Sequence, residues 1–290
     1  MAEQMTHRFR LGFLPLCIML STGILSASCS VENVPENTSD KPHTDGSANQ
    51  QWTPLFNGKD LSDWIPKFAN ADEGENYNNT FGVQDGKLTV SYDEYEQFDD
   101  RFGHLYYQVP YSHYRLKIEY RFIGEQAKGA PDWAFENNGV MIHSQHPSTM
   151  SFEQGFPASV EMQFLSRIGR NGNVRNTGNM CSTGSHIVRN GELDTTHCIN
   201  SSVEGYPSEQ WVTAEIEVLG NESVTHYING KKVFEYSQPQ LDPNEAADLI
   251  NARGTAMLSG GYIAIQAEST PTEFRKIDIK VLPGNQNKEY

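Results

Sequence analysis

The sequence predicts a single-domain, all-β sandwich or jelly roll, on three observations. From Trp52 onward apolar and polar residues alternate with period two, turn signals separate the alternating runs, and no helical stretch is long enough to cross over between parallel strands. Strands are predicted at Lys87–Tyr92 and Gly103–Val109. The clearest is Tyr114–Phe122, where Tyr114, Leu116, Ile118, Tyr120 and Phe122 alternate with charged residues. Gly139–Ser144 and Ser159–Leu165 follow, then Val212–Val218, with Val212, Ala214, Ile216 and Val218 on one face. Val224–Tyr236 reads as a hairpin turning at Asn229-Gly230, the favoured type I′ pair. Asn244–Ala252 is the one helical stretch, and Tyr262–Glu268 and Phe274–Leu282 close the fold around Ser269-Thr270-Pro271.

The segments before and after this domain have a different character. Residues 1–28 carry Arg8 and Arg10 ahead of a short apolar stretch, Leu11–Leu25, and end in Ser26-Ala27-Ser28 directly before Cys29. This is the pattern of an export signal, with Cys29 as the lipidation site of a bacterial lipoprotein. Residues 29–51 are rich in Pro, Asn, Ser, Asp and Gly, without the apolar content to fold, and predict a flexible tether. The domain then spans 52–283, and 284–290 is a tail. The expected location is the periplasm or cell surface, anchored by lipid to the bacterial membrane, the outer membrane first. Lys plus Arg number 22 and Asp plus Glu 37, a formal net charge of −15. Such a chain lacks the basic face that nucleic acid or anionic lipid requires, so the only membrane contact expected is the lipid itself.

Within the domain only Cys181 and Cys198 remain. His186 and His197 lie nearby, but zinc ligands usually pair two to four residues apart, whereas these cysteines are 17 apart. A disulfide pinning a long loop is the reading an exported protein favours. Alternation also assembles a polar face. If the strands at Gly139–Ser144, Ser159–Leu165 and Tyr262–Glu268 share a sheet, their polar sides carry His143, Glu161, Gln163, Gln266 and Glu268. Arg275 shares parity with Ile277, Ile279 and Val281, so either a bulge re-aims it or a carboxylate pairs with it as a structural brace for the site.

Several segments resemble the 3-keto-disaccharide hydrolase domain family. They are WTPLFNGKDLSDW at Trp52–Trp64, ENNGVMIHSQ at Glu136–Gln145, FPASVEMQFL at Phe156–Leu165, Trp211–Tyr236 and Gly260–Leu282. They cover nearly all of Trp52–Leu282 in order, and the segment Arg175–Cys198 is similar to a subgroup with a cysteine-bearing insertion. The resemblance implies a concanavalin A-like jelly roll with a concave active face and action on glycosides whose sugar carries a ketone at C3. Asn138, His143, Glu161, Gln163, Gln266 and Arg275 match polar positions of the family, whereas Glu268 stands where many relatives have a histidine.

A C3 ketone acidifies the C2 proton, so cleavage becomes elimination followed by hydration. This needs a base near C2, a group stabilising the enolate oxygen and an acid at the leaving oxygen. His143 or Glu161 is the expected catalytic base, with Asn138, Gln163, Gln266 and Glu268 as substrate-binding groups. Trp133 and Tyr106 lead the aromatic residues that stack on sugars, ahead of Trp64, Tyr107 and Tyr111. No cofactor is required by the residues; a divalent metal ion on His143, His146 or Glu161 is the one candidate. The competing readings are a two-carboxylate glycosidase using Glu161 and Glu268, and a non-catalytic, lectin-like carbohydrate-binding module. The lipoprotein expectation is checked by mass spectrometry of protein from the native host: the mature chain should begin at an acylated Cys29, and a start after Ala27 refutes it.

Overall fold

A computed structural model describes residues 51–284. The expected signal segment 1–28, Cys29, the tether up to residue 50 and the tail from 285 lie outside the described residues. Strand alternation translates directly into burial. Along His113–Phe122 every second side chain is buried, and the same holds along Val212–Leu219.

Six strands come first: β1 (Thr53–Pro54), β2 (Trp64–Phe68), β3 (Phe81–Gln84), β4 (Lys87–Val90), β5 (Gly103–Tyr107) and β6 (His113–Phe122). Then come β7 (Asn137–Ser144), β8 (Ser159–Leu165), β9 (Asn179–Thr183), β10 (Ser185–Arg189), β11 (Glu192–Asp194) and β12 (Cys198–Ile199). β13 (Val212–Leu219), β14 (Ser223–Ile228), β15 (Lys231–Leu241), the helix α1 (Ala247–Arg253), β16 (Tyr262–Ala267) and β17 (Thr272–Val281) complete the described chain.

Two antiparallel sheets form a jelly-roll sandwich. One runs β11-β10-β15-β14-β13-β6-β17-β4-β3, with β1 paired to β17; the other runs β12-β9-β8-β7-β16-β5-β2. Their facing sides bury one core, including Leu116, Ile118, Ile216, Val140, Ile142, Val160, Met162, Ile263 and Ile265. The predicted hairpin turn is present, since Asn229 and Gly230 both take the positive φ that a type I′ turn needs. The helix is shorter than predicted: the Asp242 carboxylate accepts from the Asn244 backbone N–H (2.8 Å) and holds that stretch in a turn.

Two expectations change. The loop expected between the cysteines contains a strand pair: after β9 the chain crosses to the other sheet, forms β10 and β11 there, and returns at β12. The disulfide forms as expected, between Cys181 and Cys198, which are directly paired residues of β9 and β12. Arg275 does not brace the site. A bulge between Phe274 and Lys276 turns it outward, where it is exposed, pairs with Glu119 (2.5 Å) and lies over Trp211. The bulge resolves the parity conflict, because an arginine on the apolar side would be buried among Ile277 and Ile279.

Cys181→Ser should lower unfolding stability by about 3 kcal/mol, measured by denaturant titration, since the bond closes a loop of this size in the unfolded chain. A reducing agent should reproduce that loss in the wild type and leave the variant unchanged.

Candidate active site

The outer face of the seven-stranded sheet, turned away from the core, carries the chemistry. Register aligns its side chains in rows. Glu161 of β8 stands opposite Cys181 of β9 and Met141 of β7, and Gln163 opposite Asn179 and Gly139. On the far side of β7, Gln266 of β16 pairs with His104 of β5, and Ala264 with Tyr106.

One half of this face is apolar: Tyr106, Met141, Met150 and Ala264 cluster there. The other half is polar and buried. Gln266 and His104 have no exposed surface, and Glu161 and Glu268 are nearly enclosed. Among them Glu161 Oε1, Glu268 Oε2, both ring nitrogens of His104 and both side-chain polar atoms of Gln266 have no hydrogen-bond partner. Buried polar groups are almost always bonded, so a cluster of bare ones is held for something that is not protein.

A cavity of about 890 Å³ reaches the two carboxyl groups of this cluster, Glu161 and Glu268, whereas His104 and Gln266 are fully buried outside its lining, so Gln266 does not take the substrate-binding place expected of it. Glu161, Gln163, Glu268 and Asn137 line it, with Trp133, Arg170 and Arg175 also in its wall. Trp133 is 55% exposed and stacks on Phe102, so its indole is braced in place. Gln163 Oε1 accepts from Asn179 Nδ2 (3.0 Å), which fixes the orientation of its amide in the cavity wall. Gly139 makes room for Glu161, because a Cβ at that position would collide with the carboxyl group.

Burial sets the protonation of this cluster. It pushes Glu161 up to about 8. It raises Glu268 well above the carboxylate range, and the neighbouring Glu161 charge raises it further. Burial lowers His104 to about 3, so its imidazole is neutral at physiological pH.

Four more expected site residues lie elsewhere. His143 is not beside Glu161. β7 carries one extra residue against β16 here, His143 takes φ +51°, and its Nε2 contacts the Gly220 carbonyl (3.0 Å) on the opposing sheet's side. Gly261 permits this bulge, since a Cβ there would lie 2.6 Å from the His143 carbonyl carbon. Asn138 faces the other way from the cavity: its Nδ2 donates to the Gln266 carbonyl (2.8 Å), a structural bond between strands. Tyr106 is fully buried beneath Met150, its hydroxyl 3.0 Å from the sulfur, and cannot stack on a sugar. His146 bonds through Nδ1 to Ser148 and caps a short turn. His143, His146 and Glu161 thus do not come together as metal ligands, and among the described residues no three His, Cys, Asp or Glu side chains form a metal-binding group. Trp64 is buried in the core, and Tyr107 and Tyr111 stack on each other away from the cavity lining.

Sequence reading missed His104 and Asn137. Both were within reach of alternation, since His104 shares a face with Tyr106, and extending β7 by two residues puts Asn137 on the face of Gly139 and Met141.

A jelly-roll sandwich with two buried carboxyl groups in the wall of a cavity is the frame in which the family match below identifies a carbohydrate-active domain. A family model, the 3-keto-alpha-glucoside-1,2-lyase-like domain, matches residues 51–280, and the chain belongs to that family. Among solved structures the chain is similar to a proposed glycosyl hydrolase from Parabacteroides distasonis, at 17% identity and TM-score 0.48, covering 80% of this chain and 94% of the other. It is also similar to a Bacillus subtilis protein with a galectin-like fold, at 11% identity and TM-score 0.45, with 80% and 94% covered. A third is a Bacillus subtilis carbohydrate-binding module, at 8% identity and TM-score 0.40, with 79% and 94% covered. No curated protein matches the sequence.

The raised Glu161 has a thermodynamic consequence. Between about pH 4.5 and 8 the folded chain keeps a proton that the unfolded chain releases, so this group makes stability fall as pH rises through that window. Glu161→Gln should therefore raise the melting temperature at pH 8.5 by at least about 2 °C, and the gain should vanish at pH 4. His143→Ala should instead cost about 1–3 kcal/mol in denaturant unfolding, because it strips the Gly220 carbonyl of its buried partner.

Proposed function

We propose that this domain cleaves glycosides whose sugar carries a C3 ketone, by elimination and then hydration. The observation that carries the reading is the pair of buried carboxyl groups with bare oxygens, Glu161 and Glu268, in the wall of the cavity. Glu161 is the base. It takes the C2 proton, and the electron pair of that bond moves to give the enolate on the C3 oxygen. Collapse of the enolate forms the C1–C2 double bond and breaks the bond from C1 to the glycosidic oxygen. Glu268, which stays protonated, gives its proton to the departing oxygen. Water then adds at C1, and a proton returns to C2, so the net reaction is hydrolysis. Two buried carboxyl groups side by side do not both ionise, so one can hold a proton while the other accepts one.

Family membership supports the substrate class. The Gln163 amide, in the cavity wall, supplies an N–H suited to hydroxyl and enolate oxygens. Trp133 at the cavity wall supplies a stacking surface for a sugar ring. The disulfide is consistent with an oxidising compartment, and we propose export with a lipid anchor at Cys29 on the same footing.

The test incubates the purified domain with a 3-keto-glucoside and with the parent glucoside. Cleavage of the keto sugar alone is expected. Cleavage of the parent points to the two-carboxylate glycosidase, and binding without turnover to the lectin. Glu161→Gln should lower kcat by about 10²-fold or more, and kcat/KM of the wild type should rise with pH through about 8 as Glu161 ionises. Full activity in Glu161→Gln would remove it as the base.

A further inference from the structure

β7 and β16 pair antiparallel through Met141–Ala264 and Val140–Ile265. Continuing that register by three residues sets Asn137, the first residue of β7, opposite Glu268, the residue after β16. Contacts on either side agree: Asn138 Nδ2 donates to the Gln266 carbonyl, and the Glu136 N–H donates to Thr270 Oγ1 (2.9 Å). Parity puts both side chains on the outer face, and both line the cavity. Cross-strand neighbours on one face have Cβ atoms about 4.5–5.5 Å apart, within reach of a bond between an amide and a carboxyl group.

Asn137 is 2% exposed and Glu268 3%. Asn137 Oδ1 and Glu268 Oε2 are both buried without a hydrogen-bond partner. An amide oxygen only accepts, and so does an ionised carboxylate, so two such oxygens side by side repel. A proton on the carboxyl group turns that repulsion into an O–H···O bond and satisfies both atoms. The other titratable groups around Glu268 have different places. Glu161 lays its carboxyl group over Gly139. Tyr92 accepts from the Ser269 N–H through its hydroxyl oxygen (2.7 Å), and burial keeps that phenol protonated. In the cavity wall Arg170 donates to Gln126 Oε1 (3.0 Å), Arg175 donates to the Phe135 carbonyl (2.7 Å), and His197 Nδ1 contacts the Ser182 carbonyl (2.6 Å). Asp132 completes the titratable groups of that wall among the described residues.

We infer that Asn137 is the positioning residue that keeps the proton on Glu268, whose carboxyl O–H donates to Asn137 Oδ1. This rests on the function proposed above and deepens it, because it assigns Glu268 rather than Glu161 as the proton donor. In the elimination Glu268 passes that proton to the departing oxygen and loses its bond to Asn137. In the hydration the Glu268 carboxylate takes a proton from the water that adds at C1, Glu161 returns its proton to C2, and the bond re-forms. Burial and the adjacent Glu161 charge, which raise Glu268, act in the same direction as this bond.

The experiment follows kcat/KM against pH for methyl and nitrophenyl 3-keto-glucosides, in wild type and Asn137→Leu, with thermal melts to confirm folding. Methoxide needs a proton to leave, and nitrophenolate does not. On the methyl substrate kcat/KM should fall at high pH as Glu268 ionises, and Asn137→Leu should move that fall about one pH unit lower. Above both midpoints this makes kcat/KM about tenfold lower in the variant. The nitrophenyl substrate should lack the fall in both proteins. An unmoved fall, a fall moved upward, or the same shift on both substrates overturns the inference. The second reading needs neither substrate nor a variant of Asn137: it is carbon-13 NMR of wild type, with the Glu268 signal assigned from Glu268→Gln. The Asn137 amide carbon and the Glu268 carboxyl carbon should titrate with one midpoint, because ionisation removes their bond. Separate midpoints, or an Asn137 signal that does not move, overturn the pairing. If wild type cleaves neither keto-glucoside, the proposed chemistry fails and the NMR titration alone decides where the proton sits.

Discussion

Glu161 occupies space that only a glycine on the next strand leaves open. At Gly139 a Cβ would strike the carboxyl group, and without one the carboxyl lies over β7. There it is buried, and one oxygen has no partner. An ionised carboxylate in that setting is costly, and the cost appears as a raised pKa rather than as a broken fold. Glu268 adds a second carboxyl group close enough for each charge to oppose the other. The raised titration of both groups and the pH dependence of stability follow from this enclosure.

The fold can carry this strain because the opposite face of the same sheet is an ordinary apolar core. Val160 and Met162 flank Glu161 in sequence and bury inward, as do Ile263 and Ile265 before Gln266. Period-two geometry thus lets adjacent residues serve stability and chemistry without compromise. The outer face divides again, with Tyr106, Met141 and Ala264 sealed under Met150 beside the bare polar cluster. The disulfide contributes from the edge, fixing β12 to β9 one strand away from Glu161.

Much of this was legible in the residues. Strands alternating over six or more positions, such as His113–Phe122 and Val212–Leu219, declare both their existence and their buried side. Placing Glu161, Gln163, Gln266 and Glu268 on one face needed only parity and a shared sheet, and both hold. Two of the failures share a cause. His143 and Arg275 sit at bulges, where one extra residue reverses the parity of the side chain. Nothing in the local composition around either residue announces the extra position.

The sequence by itself determined the all-β class, the inward face of each regular strand and the pairing of Cys181 with Cys198, because alternation and cysteine count are local properties. Tertiary structure decided which strands became neighbours, and therefore that His104 stands beside Gln266 and that the Cys181–Cys198 excursion crosses between sheets. It also decided the burial that raises Glu161 and Glu268. Desolvation depends on what covers a group in space, and that covering comes from segments far away in the chain.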